Sequence, residues 1–408
     1  MKKNANQKPR LLFVIPSLAG GGAEKSLIAL LCVLGEKHGG GVLFDADLFL
    51  FERVGLFLDQ IPPWVRVIDA GEAFARFTGS AKAAVLYFLR RGRLDLVWHR
   101  LRYGFAAHAP EGKIALRYWQ ALRHVFRPRK TQYAAAIGYL EGYTNYFIVD
   151  CVKAVRKIAY FHNDYAHYPT LRAADERYFA RADDIVTVSE STKSVLCAHF
   201  PNYAEKFVCI ENIVSPSLLR QNAALEAAPF TSANKPAILT IGRVNAAKGI
   251  DLAVCAAGIL KRAGVSFCWY HIGRGKLENE IRALIAEENV ADCFVLLGEQ
   301  KNPYPALAVC DVYVQPSRYE GKCIAIEEAK ALARPIVCTN FDTVASQIAH
   351  GSTGLIAKIN PESIAEAVRC LLKNPAVAQS LSNNLRNCAG NEDQAEKFLQ
   401  LTNIFASI

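Results

Sequence analysis

Short apolar runs alternate with amphipathic helical stretches along this chain, and the alternation occurs in two blocks. In the first block Leu11–Ile15 leads into Ala23–Leu34, and further apolar runs lie at Tyr133–Gly138, Lys157–Phe161, Asp184–Val188 and Phe207–Ile210. The pattern restarts at Ala237–Ile241. Helix Asp251–Ala263, strand Ser266–Ile272, helix Leu277–Glu288, strand Val295–Leu297, short helix Pro305–Cys310 and strand Val312–Gln315 follow. A helix at Ile324–Leu332, a strand at Pro335–Thr339 and terminal helices complete it. Parallel strands need crossover connections, so repeated βα units imply parallel sheets with helices on both faces. The expected fold class is α/β, with two Rossmann-like, doubly wound parallel-sheet domains. The connector Glu211 to Asn234 marks a composition shift and holds the boundary. The expected domains are 1–215 and 216–390, with 391–408 a terminal helix packing back on the first domain.

A length of 408 residues with 51% apolar content suits two ordinary cores. No apolar stretch is long enough to span a bilayer. The run Leu11–Ile15 is short and meets Pro16, so it reads as a first strand, not a cleaved signal. Twelve cysteines stand singly without a C-x-x-C pair, which suits core thiols of a reducing compartment and neither zinc nor disulfides. Charge is uneven. Residues 76–130 hold 13 basic residues against Asp95 and Glu111, interleaved with Tyr87, Phe88, Trp98, Phe105 and Trp119. A basic, aromatic-rich helical stretch suits an anionic membrane surface. Nucleic acid and a merely solvated basic face are the other readings, and no nucleic-acid partner is expected.

The chemistry concentrates in the second block. Pro316 and Ser317 end an apolar strand, Glu320-Gly321 form the turn, and Glu328 sits early in the next helix. In an open α/β sheet ligands bind outside the strands' carboxyl ends. Helix-start amides attract anions, and paired carboxylates accept hydrogen bonds from sugar hydroxyls. Acidic residues also favour helix starts for electrostatic reasons alone. Gly242-Arg243-Val244-Asn245-Ala246-Ala247-Lys248-Gly249 follows a strand, and its Arg243 and Lys248 can neutralise a diphosphate. Gly273-Arg274-Gly275 is a glycine turn without the third glycine of a dinucleotide fingerprint, which argues against an NAD enzyme. In the first block Gly20-Gly21-Gly22 precedes a helix start, His162 ends a strand in Tyr160-Phe161-His162-Asn163-Asp164, and Glu141-Gly142 is a weaker candidate.

Pro316–Ala329 resembles the glutamate–seven–glutamate signature of retaining nucleotide-sugar glycosyltransferases of family 4 (group 1), which have the GT-B fold. The likeness runs through Ala329–Val337 to Gly351-Ser352-Thr353-Gly354-Leu355, and upstream to Gly242-Arg243 and Lys248-Gly249. Residues 235–370 carry it well, 10–30 and 155–192 weakly, and 40–130 not at all. The resemblance implies two domains facing across a cleft. It assigns Glu328 to ribose hydroxyls, Glu320 to sugar hydroxyls, and Arg243 and Lys248 to the departing diphosphate. Backbone contacts from Gly242, Gly273, Gly321, Lys322, Cys323 and Ile324 would line the nucleotide pocket, and Leu297–Tyr304, with Glu299, would touch the base. Gly21, Gly22 and His162 would face it from the first domain. Lys322 and Cys323 depart from the family's usual aromatic and small residues, and Glu327 adds a third carboxylate.

The implied reaction moves a hexosyl or N-acetylhexosaminyl group from a UDP-sugar to a hydroxyl of a glycan or lipid-linked acceptor, with retention and without a protein base. The setting would be envelope polysaccharide or lipopolysaccharide synthesis, at the cytoplasmic, inner face of the membrane. No Asp-x-Asp metal-binding motif is read in the chain, so neither metal nor cofactor is expected beyond the sugar nucleotide. The rivals are a same-fold epimerase or phosphorylase, and a non-catalytic membrane-surface protein.

Overall fold

The computed structural model describes residues 8–19, 21–36, 44–109, 113–126, 131–162, 165, 172–230, 235–387 and 393–402. The chain divides into two compact units, Met1–Ile213 with Asp393–Ile408, and Val214–Glu392.

The first unit contains β1 (Arg10–Ile15), α1 (Gly22–Glu36), β2 (Asp45–Leu50), β3 (Val65–Asp69), α2 (Gly71–Thr78), α3 (Ala81–Leu89), α4 (Leu94–Phe105) and α5 (Ile114–Leu122). It continues with β4 (Gln132–Gly138), α6 (Tyr143–Cys151), β5 (Lys153–Phe161), α7 (Arg172–Phe179), β6 (Asp184–Thr187), α8 (Glu190–His199) and β7 (Phe207–Cys209). Its parallel sheet runs β3-β2-β1-β4-β5-β6-β7. Side chains alternate across it with period two. Leu11, Phe13 and Ile15 of β1 enter the core with α1, while Leu12 and Val14 enter the opposite core with α2–α6. The order reverses between β1 and β4, a topological switch point.

The second unit contains α9 (Pro216–Ala224), β8 (Ala237–Ile241), α10 (Ile250–Arg262), β9 (Cys268–Ile272), α11 (Glu278–Glu287), β10 (Phe294–Gly298), α12 (Tyr304–Val309) and β11 (Val312–Gln315). Then come α13 (Ile324–Ala331), β12 (Ile336–Thr339), β13 (Leu355–Ala357), α14 (Pro361–Lys373) and α15 (Pro375–Arg386), and α16 (Gln394–Thr402) returns to the first unit. The sheet order β10-β9-β8-β11-β12-β13 is again all parallel and reverses between β8 and β11. Val312 and Val314 enter one core and Tyr313 the other, so β11 is buried on both faces.

The structure adds to the sequence pattern in two places. The connector Glu211 to Asn234 contains α9, started by Ser215, whose hydroxyl accepts from the Leu218 amide, with Pro216 in the first turn. Among the described residues, 40–130 hold two strands and four α-helices of the first unit. Asp45 and Asp47 interrupt the apolar run of β2 and hide it from a hydropathy reading. Contrary to the expectation from sequence, an Asp-x-Asp pair is present, Asp45-Ala46-Asp47. Asp45 accepts from Arg10 at 2.6 Å. Asp47 is buried and takes Arg66 at 2.9 and 2.6 Å and the Tyr133 hydroxyl at 2.8 Å. Buried charge is tolerated when paired in this way. These partners make the pair a structural clamp between β2 and its neighbours.

α16 buries Ala395, Phe398 and Leu399 in the β1 core, and Phe398 stacks on Phe13 with ring centres 5.7 Å apart. Replacing Phe398 with Ala is therefore expected to destabilise the first unit by about 3–5 kcal/mol, the range for an emptied aromatic site. Urea unfolding measures it, and an unchanged midpoint would mean that α16 adds nothing to this core.

Candidate functional site

In the second unit the candidate residues gather where the strand order reverses. The loop after β8 carries Gly242, Arg243 and Lys248, and the turn after β11 carries Glu320–Cys323. These flank the switch point, the place at which open α/β sheets bind ligands outside the strands' carboxyl ends. Glycines let the segments meet. Gly249 has φ +61°, and a Cβ there would lie 2.0 Å from the Pro316 carbonyl oxygen. Gly273, at φ +143°, would meet the Gly242 carbonyl oxygen at 2.0 Å. Both conformation and space demand glycine at these positions. Gly273 N–H also donates to the Gly298 carbonyl at 2.8 Å, which brings exposed Glu299 beside this turn.

Lys248 Nζ donates to both oxygens of Glu320, at 2.6 and 2.8 Å. Glu320 also accepts from the Ser317 hydroxyl at 2.6 Å and the Gln315 amide at 3.4 Å. Burial alone would lower the lysine's pKa. The Glu320 charge and hydrogen bonds, with a coulombic contribution from Cys323, outweigh it and hold Lys248 above its ordinary value, although nearby Arg243 opposes them. Arg243 itself is exposed on the same loop. Glu328 is buried on α13 and accepts from the Tyr304 hydroxyl at 2.9 Å. Gly321 and Cys323 are buried, whereas Lys322 and Ile324 are half-buried at the start of α13.

Several residues that shape this turn were not singled out from sequence. Gln347 accepts from the Cys323 amide at 2.9 Å, donates to the Cys323 carbonyl at 2.9 Å and donates to Glu327 at 2.8 Å. Thr343 donates to the Glu320 carbonyl at 3.0 Å, and Thr339 donates to the Ser317 carbonyl. All three lie in β12 or just beyond it, and no local pattern announces a partner two dozen residues upstream. Glu327, the third carboxylate, is bound to Lys330 at 2.9 Å as well as to Gln347. It therefore acts as a brace for the turn.

His271, at the end of β9, places Nε2 3.0 Å from the Gly242 carbonyl oxygen. That bond requires a protonated Nε2, and burial pushes the ring's pKa down to about 4. The neutral ring thus pins the loop carrying Arg243.

In the first unit, Gly21 and Gly22 follow β1, and the Gly21 carbonyl accepts from Lys25 N–H at 3.1 Å. Gly20, Asn163 and Asp164 lie outside the described residues. The His162 amide donates to Glu141 at 3.0 Å, and its ring stacks on Tyr160 at 5.6 Å. Burial lowers the His162 pKa to about 4. Glu141 thus positions the end of β5 from the loop after β4, the strand that borders this unit's switch point.

A sequence model of the family described as "Glycosyl transferases group 1" matches residues 224–388. This stretch, two-fifths of the chain, resembles the group 1 glycosyl transferase domain. It contains Arg243, Lys248, Glu320 and Glu328. The amylovoran biosynthesis glycosyltransferase AmsK of Erwinia amylovora is 32% identical over 143 residues, 33% of this chain and 34% of that protein. The N-acetylgalactosamine-N,N'-diacetylbacillosaminyl-diphospho-undecaprenol 4-alpha-N-acetylgalactosaminyltransferase of Campylobacter jejuni is 25% identical over 213 residues, 52% of this chain and 56% of that one. The matched stretches thus span about a third to a half of these curated relatives. HepE of Anabaena, solved with UDP and glucose, superposes with a TM-score of 0.64 at 15% identity, covering 98% of this chain and all of that one. Both units have the doubly wound parallel sheets of the GT-B fold.

The neutral His271 makes stability pH-dependent. Its folded pKa is depressed, so between about pH 6.5 and 4 the unfolded chain binds more protons than the folded one, and stability falls as pH drops through that window. The loss should approach 1 kcal/mol per pH unit. Urea unfolding at pH 7, 5.5 and 4.5 should show it for the second unit, and H271N should flatten it. An unchanged slope in the variant would assign the acid sensitivity elsewhere.

Proposed function

We propose that this chain is a retaining glycosyltransferase that moves a hexosyl or N-acetylhexosaminyl group from a UDP-sugar to a hydroxyl of a glycan or lipid-linked acceptor. The observation that carries the reading is the meeting of the β8 loop and the β11 turn at the switch point of a group 1-like domain, with Lys248 locked on Glu320. An ammonium has three donors. Glu320 engages Lys248 through two oxygens, which leaves donor capacity for a diphosphate oxygen. Arg243 supplies a second cation with forked geometry. Their combined charge stabilises the diphosphate as it departs, and such preorganised stabilisation is commonly the largest catalytic contribution. Glu328 takes the ribose hydroxyls and Glu320 the sugar hydroxyls. Backbone amides of Gly321, Lys322 and Ile324 at the start of α13 are assigned to the phosphates, where a helix N-terminus favours anions, while the Cys323 amide, expected there from sequence, is already given to Gln347. A diphosphate oxygen on the same face receives the acceptor proton, so no side chain is assigned as base. We assign no divalent metal to this step, because the two cations already face the charge that develops.

His162 is assigned to the transferred sugar or a phosphate, the Gly21-Gly22 turn to phosphate or acceptor, and Glu141 to the acceptor side. The acceptor is placed at the inner membrane face, with the basic stretch 76–130 toward anionic lipid, in envelope polysaccharide synthesis. Among the described residues no helix is long and apolar enough to cross a membrane, which suits peripheral docking. The Campylobacter relative's name, with its diphospho-undecaprenol acceptor, supports a lipid-linked substrate, and HepE with UDP and glucose supports a UDP donor.

Slow hydrolysis of a panel of UDP-sugars without acceptor tests the donor assignment. R243A should lower the rate by about 10²-fold, the scale of losing one transition-state donor, with folding unaffected. A near-native rate would remove Arg243 from the diphosphate. Calorimetry separates the carboxylates. E328Q should weaken UDP and UDP-sugar alike, whereas E320Q should weaken the UDP-sugar more than UDP. Equal losses in E320Q would refute its sugar role.

A further inference from the structure

The helices of residues 76–130 expose apolar side chains in a pattern that charge alone does not explain. On α4, Leu94 is 66% exposed, Trp98 62%, Leu101 48% and Phe105 71%. At about 100° per residue these four fall within an arc of roughly 60°. The opposite face of α4 is already used: Leu96 is buried in the core, and Arg100 donates to the Gly79 carbonyl at 3.0 Å. A helix with one apolar stripe normally turns it inward. This one has a core-facing side and a second stripe in solvent. Leu86 and Leu89 of the adjoining α3 are half exposed too.

The cations beside the stripe are not equivalent. Arg93 is neutralised by Asp95 through bonds of 2.9 and 2.7 Å. Arg91 lies over the Tyr87 ring at 3.8 Å. Lys82, Arg90 and Arg102 have no acidic partner among the described residues. An apolar stripe with tryptophan and a basic margin matches a helix lying in an anionic bilayer interface. A second copy of the chain fits less well. A two-fold contact would press the same patch against itself and bring these unneutralised cations together.

We infer that α4 lies in the plane of the membrane interface and inserts Leu94, Trp98, Leu101 and Phe105 among anionic lipids. This rests on the membrane-side reading above and adds to it that apolar insertion, and not the basic charge alone, anchors the protein. Trp98 is then a built-in reporter, since Trp119 and Trp269 are buried and Trp64 is half-buried.

The test mixes the full-length protein with phosphatidylcholine vesicles, with or without about one-third phosphatidylglycerol, the anionic component that such a helix requires. On the anionic vesicles the tryptophan emission should shift to the blue and be quenched by brominated acyl chains. W98F should lose both effects while still co-sedimenting. L101S/F105S should bind about tenfold more weakly and keep wild-type UDP-sugar hydrolysis, which also checks that it is folded. Anionic-vesicle binding without Trp98 quenching, and undiminished in L101S/F105S, would overturn insertion and leave electrostatic docking standing. Absence of binding to either vesicle would overturn docking and insertion together, while retained hydrolysis would keep the transferase reading. Concentration-dependent dimerisation lost in L101S/F105S would assign the stripe to a second copy and overturn the lipid proposal.

Discussion

The Lys248–Glu320 ion pair is the contact on which the second unit's site depends. It ties the loop after β8 to the turn after β11 across the point where the strand order reverses. Glu320 is nearly enclosed, and an unpaired carboxylate in such a place is costly. The pair stands because Gly249 lets the loop backbone approach Pro316, and because Ser317 and Gln315 donate further to Oε1, while Oε2 accepts from Lys248 and keeps acceptor capacity. Gln347 then fixes the next peptide from below through both its amide atoms. The cation that would meet a diphosphate is therefore held before any ligand arrives.

The first unit solves a different problem on the same topology. Between β3 and β4 the chain departs through α2–α5 before rejoining the sheet beside β1. Phe74, Phe77, Phe88, Leu96 and Trp119 bury this excursion against β1, β2 and α6. Asp150 of α6 binds the Trp119 indole at 2.9 Å and Arg181 at 2.6 Å, which anchors α5 to the sheet layer. With its inner side anchored in this way, the excursion presents α3 and the outer stripe of α4 on a rigid base. Most of the chain's basic excess is concentrated there.

The two parallel sheets were legible from sequence because buried parallel strands read as unbroken apolar runs between helices. Val312–Gln315 and Ala237–Ile241 are clear cases. The glutamate spacing after β11 and the Arg243–Lys248 loop were legible because each is a local pattern. Legibility failed where polar residues served the interior. Asp47 broke the pattern of β2 because its charge is answered by Arg66 and Tyr133 from distant segments. α9 is hidden in a stretch of mixed polarity because Ser215-Pro216 announces a helix only through its capping bond.

By itself the sequence determined the fold class, the two strand-and-helix blocks, and which loops carry the paired cations and carboxylates. These follow from side-chain periodicity and from chemistry within a few residues. Only the tertiary structure decided that Lys248 holds Glu320 from 72 positions away, that His271 pins the Gly242 carbonyl, and that Arg93 is neutralised while, among the described residues, Arg90 and Arg102 have no acidic partner. It also decided which face of α4 remains in solvent once Leu96 and Arg100 have turned inward. The reason is common to all of these. Hydropathy records how apolar a residue is, whereas the partner that satisfies a charge, or the core that claims a helix face, is set by where the chain returns in space.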